Sequence, residues 1–194
     1  EVKDPTAFIN EVDVFTQQSD SLEFIELYDA GQGNTSLDGH CLVLYDSDTN
    51  TSFYTVDLDG YSTDEDGYFL IGNSDVSGVG LIFPDRMLPD NGLGVALYEG
   101  DGADFLEGTP ATVEGLLDAV FVENFTEGSP GLQSLLYSYS TELRLDEDSL
   151  LNGRGHSLQR FPNGRGGLRT NENFIPISPT PGEPNLIPSP PTGL

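Results

Sequence analysis

The sequence predicts an all-β sandwich or barrel, on three observations. Short apolar or alternating runs recur along the chain, Gly, Asp, Asn and Pro separate them, and helical periodicity is almost absent. The expected strands follow in order. Ala7–Phe15 and Leu22–Tyr28 interleave acidic and apolar positions, most clearly in Glu23-Phe24-Ile25-Glu26-Leu27-Tyr28. Cys41–Tyr45 is an unbroken apolar run that suits a buried strand. Phe53–Asp57, Tyr68–Gly72 and Val79–Phe83 come next, divided by turns rich in Asp and Gly. Gly94–Tyr98, Leu117–Val122 and Ser157–Arg160 complete the set. A single helix is expected at Pro130–Glu142, where Leu132, Leu135 and Leu136 recur behind Ser129 and Pro130. Tyr137-Ser138-Tyr139-Ser140 would also suit a strand. The proline-rich stretch from Ile175 reads as extended chain, which divides the sequence into a domain over 1–178 and a tail over 179–194.

Length and charge bound the function. The 194 residues predict one domain large enough to bury its own core. Acidic residues number 33 against 7 Lys and Arg, a net charge of −26. Nucleic acid is excluded as the main partner of such a surface, because phosphate contacts need clustered Lys and Arg. Anionic lipid is disfavoured for the same reason, and no apolar run approaches the roughly 18–20 residues that a membrane helix needs. Disorder is contradicted by 11 Phe and 8 Tyr. The charge is segregated: residues 1–143 carry 28 acids and 2 bases, whereas residues 144–194 carry 5 of each. The late bases are Arg144, Arg154, Arg160, Arg165 and Arg169. They either staple a loop onto the acidic body or form a cationic patch that meets the acidic face of another copy. Adaptation to salty surroundings explains the acidity without any partner.

Enzyme templates fit poorly. The two histidines, His40 and His156, are far apart in sequence, no Gly-x-Ser-x-Gly elbow occurs, and Cys41 with two histidines gives no zinc spacing. Asn163-Gly164-Arg165-Gly166-Gly167 lacks the strand–helix setting of a phosphate loop. No catalytic residue and no cofactor are therefore expected, with calcium the one ion the composition favours. Asp46, Asp48 and Asn50 have the one-three-five spacing that opens a calcium loop, but Thr51 stands where that loop needs Gly. Asp57 and Asp59 form a second acidic turn and Asp64 and Asp66 a third. A weak calcium site requires the three turns to gather at one end of the sandwich, while the alternative is ordinary hairpin chemistry. Sequons at Asn34, Asn50 and Asn124 each fall beside an expected turn, which points to a secreted, glycosylated chain. The sequence opens on Glu1 without a hydrophobic signal stretch, which predicts a processed or excised chain.

The order of strands and turns resembles the lamin tail domain family. Phe8-Ile9-Asn10-Glu11-Val12 resembles its opening I-N-E-[IV] strand, and Glu23-Phe24-Ile25-Glu26-Leu27 its E-F-[IV]-E-[LI] strand. Leu37-Asp38-Gly39 before Leu42-Val43-Leu44 is similar to its L-[SD]-G turn and following strand. Val95-Ala96-Leu97-Tyr98 and Leu117-Asp118-Ala119-Val120 resemble its later hairpin. Ser157-Leu158-Gln159-Arg160 and Thr180-Pro181-Gly182-Glu183-Pro184-Asn185 resemble its S-[LI]-Q-R and T-P-G-x-x-N close. The likeness spans about residues 7–185, and the Trp common after the L-[SD]-G turn is missing, since the chain has none. The resemblance implies an immunoglobulin-like β-sandwich with long loops and one short helix, and it supplies no catalytic residues. It also implies the extracellular branch, whose members sit in secreted multidomain proteins beside nuclease domains, adhesion modules or calcium-binding repeats. The function expected is a non-enzymatic extracellular structural or adhesion module, assembling with itself or with matrix proteins. The alternatives are an accessory module of a secreted nuclease or phosphatase, or a calcium-binding matrix or mineral-associated domain. On the strands, Arg160 is expected to pair with Glu11, Glu23 or Glu26, and Asn10 and Asn185 to bond backbone groups at the sandwich edges.

Overall fold

The computed structural model describes residues 5–15, 21–89, 92–122, 130–137 and 155–185. Two sheets face each other. The six-stranded sheet holds β1 (Phe8–Asp13), β2 (Phe24–Tyr28), β5 (Tyr68–Gly72), β6 (Leu81–Ile82), β9 (Ser157–Arg160) and β10 (Phe174–Ile177), in the order β10-β9-β1-β2-β5-β6. The four-stranded sheet holds β3 (His40–Asp46), β4 (Thr51–Asp57), β7 (Leu93–Glu99) and β8 (Leu116–Val122), in the order β4-β3-β7-β8. Neighbours are antiparallel except β5 and β6. The sandwich expected from the sequence is therefore the fold. One strand, β10, was not expected, because Pro176 inside it argues against a ladder position; on an outermost strand that objection lapses. The helix α1 (Pro130–Leu136) ends earlier than expected, and residues 138–142 of that expectation lie outside the described residues.

The core lies between the sheets. Ile9, Val12, Ile25, Leu27, Ile71 and Leu158 from one sheet meet Leu42, Leu44, Val95, Leu97, Val120 and Val122 from the other. Strand alternation explains most of these positions, since every second residue turns inward. β1 breaks the rule with a bulge between Ile9 and Glu11. Ile9 and Val12 both reach the core across that extra residue, and Glu11 is turned to the outer face opposite Glu26.

Both outer faces are covered. α1 lays Leu132 and Leu136 on the outer face of the four-stranded sheet, where they join Cys41, Val43, Tyr45, Tyr98 and Phe121. The helix approaches closely over Gly94, where a Cβ would come within 3.0 Å of the Leu132 side chain. The outer face of the six-stranded sheet is covered by residues 180–185, which the sequence placed in the tail. Asn185 there is buried and donates to the carbonyls of Asn10 and Arg160, both at 3.0 Å.

The outermost strands are closed as well. β4 is bonded along its free edge by the 105–111 loop, through Ser52 N to Thr109 O, Gly108 N to Ser52 O and Ala111 N to Asn50 O. On β8, the Asn171 side chain takes both the N–H and the carbonyl of Phe121. β6 is only two residues long, and β10 carries Pro176.

Candidate functional site

Among the described residues six acids are buried: Glu11, Asp13, Glu23, Glu26, Asp29 and Asp118. A buried carboxylate is costly unless hydrogen-bonded or paired, so its partners show what it holds. Asp29 accepts from Gln32 N, Gly33 N, Thr35 Oγ1 and Thr63 Oγ1, tying the 29–35 loop to residue 63. Gly67 must lack a side chain there, because its Cβ would meet Asp29 Oδ1 at 2.1 Å. Glu23 accepts from Met87 N at 3.0 Å and Leu88 N at 3.3 Å, fastening the loop beyond β6.

Asp118 on β8 joins the two sheets. Its Oδ2 accepts from Ile9 N at 3.0 Å and from the Arg160 guanidinium at 2.6 Å, and its Oδ1 from Arg169 N at 2.8 Å. Arg160 also donates to Ile9 O and Gly167 O and lies over the rings of Phe8 and Phe174. The expected pairing of Arg160 with a strand glutamate is thus replaced by Asp118. The reason is the strand pleat: Arg160 turns inward between the sheets, and Glu11 and Glu26 turn outward.

Glu11 and Glu26 form the densest polar centre. They are direct cross-strand partners, and both are buried. Glu26 accepts from Asn10 Nδ2 at 2.8 Å and from Gly182 N at 2.7 Å. Glu11 accepts from Ser157 Oγ, Gln159 Nε2 and Thr180 N, with Thr180 Oγ1 at 3.0 Å. Asn163 Oδ1 accepts from both Asn10 Nδ2 and Asn185 N. Burial and the neighbouring Glu11 carboxylate push Glu26 up to about 8. Burial, partly offset by its hydrogen bonds, also raises Glu11.

The residues singled out for calcium do not come together. Asp46, Asp48 and Asn50 lie at the turn before β4, while Asp57 ends that strand and Asp59 follows it, roughly 20 Å away along the strand. Asp46 caps its own turn, accepting from Asp48 N at 3.0 Å and Thr49 N at 2.9 Å. Asp57 accepts from Asp59 N, Asp59 from Gly39 N, and Asp64 from Asp66 N and Tyr68 N. Among the described residues, no three His, Cys, Asp or Glu side chains are grouped to hold a metal ion.

The arginines are divided. Arg160 is buried and cannot form an assembly surface. Arg169 is half-buried and donates to Leu136 O at 2.8 Å, so it serves the loop-stapling role. Arg165 is exposed, and Arg144 and Arg154 lie outside the described residues. Of the sequons, Asn34 is exposed, Asn50 is half-buried, and Asn124 lies outside the described residues.

Two reactive side chains elsewhere, Cys41 and His40, are held within the fold. Cys41 is buried, and burial with the nearby Asp57, Asp101 and Asp104 pushes its thiol up to about 12. His40 places Nδ1 against the carbonyls of Leu37 and Asp38 and Nε2 against Thr6 Oγ1. An open cleft of about 380 Å³ beside the 180–185 strap is walled mainly by Leu22, Phe24, Val76, Pro179 and Pro181 and holds no histidine or cysteine. Sequence reasoning missed the partnership of Glu11 with Glu26 and the role of Asp118, whose only sequence signal was its place among apolar neighbours. Comparison with family models, curated proteins and solved structures finds no match for this chain.

Proposed function

We propose that this chain is a non-enzymatic extracellular module for assembly, of the lamin tail kind, in which an acidic sandwich meets a cationic segment of another copy. One observation carries the reading. The residues that make up the sequence motifs (Asn10, Glu11, Glu26, Gln159, Arg160, Thr180 and Asn185) converge on two linked fold-holding networks instead of lining an open reactive site. The carboxylates, amides and guanidinium of those motifs are thereby committed to the scaffold. What faces outward is predominantly acidic, with exposed carboxylates such as Asp38, Asp59, Asp75, Asp104 and Glu114, and with Arg165 as an exposed cation. A contact between Arg165 of one copy and an acidic face of the next is heterologous and extends head to tail.

Sedimentation of the full chain at high concentration, at about 20 mM and about 500 mM salt, tests this. The expected result is association that weakens with salt and weakens further in Arg165→Glu. A chain that stays monomeric at low salt overturns the assembly reading.

A further inference from the structure

The outer face of the six-stranded sheet buries two acids with no cation beside them among the described residues. Glu11 and Glu26 stand opposite each other across β1 and β2. Their direct hydrogen-bond partners are neutral: the side chains of Asn10, Ser157, Gln159 and Thr180 and the backbone N–H groups of Thr180 and Gly182. Arg160, the nearest strand cation in sequence, points between the sheets and is paired with Asp118. Of the other ionisable groups, Asp64 opposes a second negative charge at Glu26, and Tyr68 on β5 has its own ionisation disfavoured mainly by burial and further by Tyr28 and Glu26. Asp13 lies two residues along β1, and Glu183 on the strap is exposed.

Two like charges directly opposed on a sheet repel, and burial strengthens the repulsion. A metal ion is a poor remedy here, because the carboxylate oxygens are already approached by N–H and O–H donors whose hydrogens would face the ion. A proton on one member of the pair removes the conflict, and a protonated carboxyl oxygen keeps a lone pair for the donor that approaches it. Thr180 and Gly182, which bond the pair, belong to the segment that covers this face.

We propose that Glu11 and Glu26 form a proton lock: while the pair holds a proton, residues 180–185 stay seated on the six-stranded sheet, and loss of that proton loosens them. The lock rests on intramolecular contacts alone and stands whether or not copies assemble. A carboxyl raised on folding stabilises the docked state fully below its ordinary value of 4.5, and that contribution is lost as pH rises through about 8. The strap is therefore tight in mildly acidic surroundings and loose in mildly alkaline ones.

Amide hydrogen exchange of the intact chain, followed from about pH 5.5 to about pH 9 and corrected for intrinsic exchange, reads the lock directly. Protection of the Thr180, Gly182 and Asn185 amides is expected to fall about tenfold or more, while that of Val43 on β3 holds. Glu26→Gln, which mimics the protonated acid, is expected to keep strap protection level across the range. Strap protection that does not change in the parent chain overturns the proposal. So does a fall matched by Val43, which signals global unfolding, or an equal fall in Glu26→Gln. If Glu26→Gln fails to fold, Glu11→Gln takes its place. A Glu26 carboxyl-carbon resonance that titrates below about pH 6 overturns the lock in any case.

Discussion

The two sheets solve one problem in opposite ways. Each has an outer face that must be covered. The four-stranded sheet covers its face with carbon, α1 pressing Leu132 and Leu136 onto Tyr45, Gly94 and Phe121. The six-stranded sheet covers its face with the 180–185 strap, held by hydrogen bonds to buried carboxylates and amides. Apolar cover is non-directional and indifferent to pH. Polar cover fixes one register and one orientation, since each donor must find its acceptor, and it ties stability to protonation. The difference teaches where this molecule can respond to its surroundings: on the strap side, not the helix side.

The comparison can be broken most severely at the clamp that joins the sheets. Asp118→Ala leaves the Arg160 guanidinium buried without its carboxylate, and urea unfolding is expected to show a loss of about 3–5 kcal/mol. On the helix side, Leu132→Ala is expected to cost about 3 kcal/mol, by the same amount at acidic and alkaline pH. A pH-dependent cost there would erase the contrast between the faces. On the strap side, Asn185→Ala strands the carbonyls of Asn10 and Arg160 and is expected to cost about 2 kcal/mol. Its effect should appear first as faster exchange at Thr180 and Gly182; uniform loss across both sheets would show that the strap is not a separable element.

The sheet architecture was legible in the sequence because its signals are local. Tyr68–Gly72 and Ser157–Arg160 appear with the expected bounds, and most other strands differ by a residue or two at their ends. Phe174–Ile177 was hidden by Pro176, a residue that disqualifies a central strand but not an outermost one. The polar centre was partly legible: its residues stood out as motifs, but their partners did not. Which acid meets Arg160, and which face Glu11 takes, both depend on the bulge between Ile9 and Glu11. A one-residue slip there exchanges inside for outside, and no local pattern announces it. The acidic turns singled out for calcium are separated for a related reason. Spacing in sequence grouped three acidic turns, and the length of β4 separates the turn at Asp46, before the strand begins, from Asp57 at its far end.

The closed strand edges carry a consequence for how copies can meet. A free strand edge is a template on which another chain can be laid by backbone hydrogen bonding, the route to cross-β deposits. Here the 105–111 loop occupies β4, Asn171 occupies Phe121 on β8, β6 is too short to template, and Pro176 interrupts β10. Backbone pairing between copies along these strands is thereby disfavoured, which leaves side-chain contacts, whose attraction is screened by ions. An array of the kind proposed above would then loosen in brine, as an ionic lattice does.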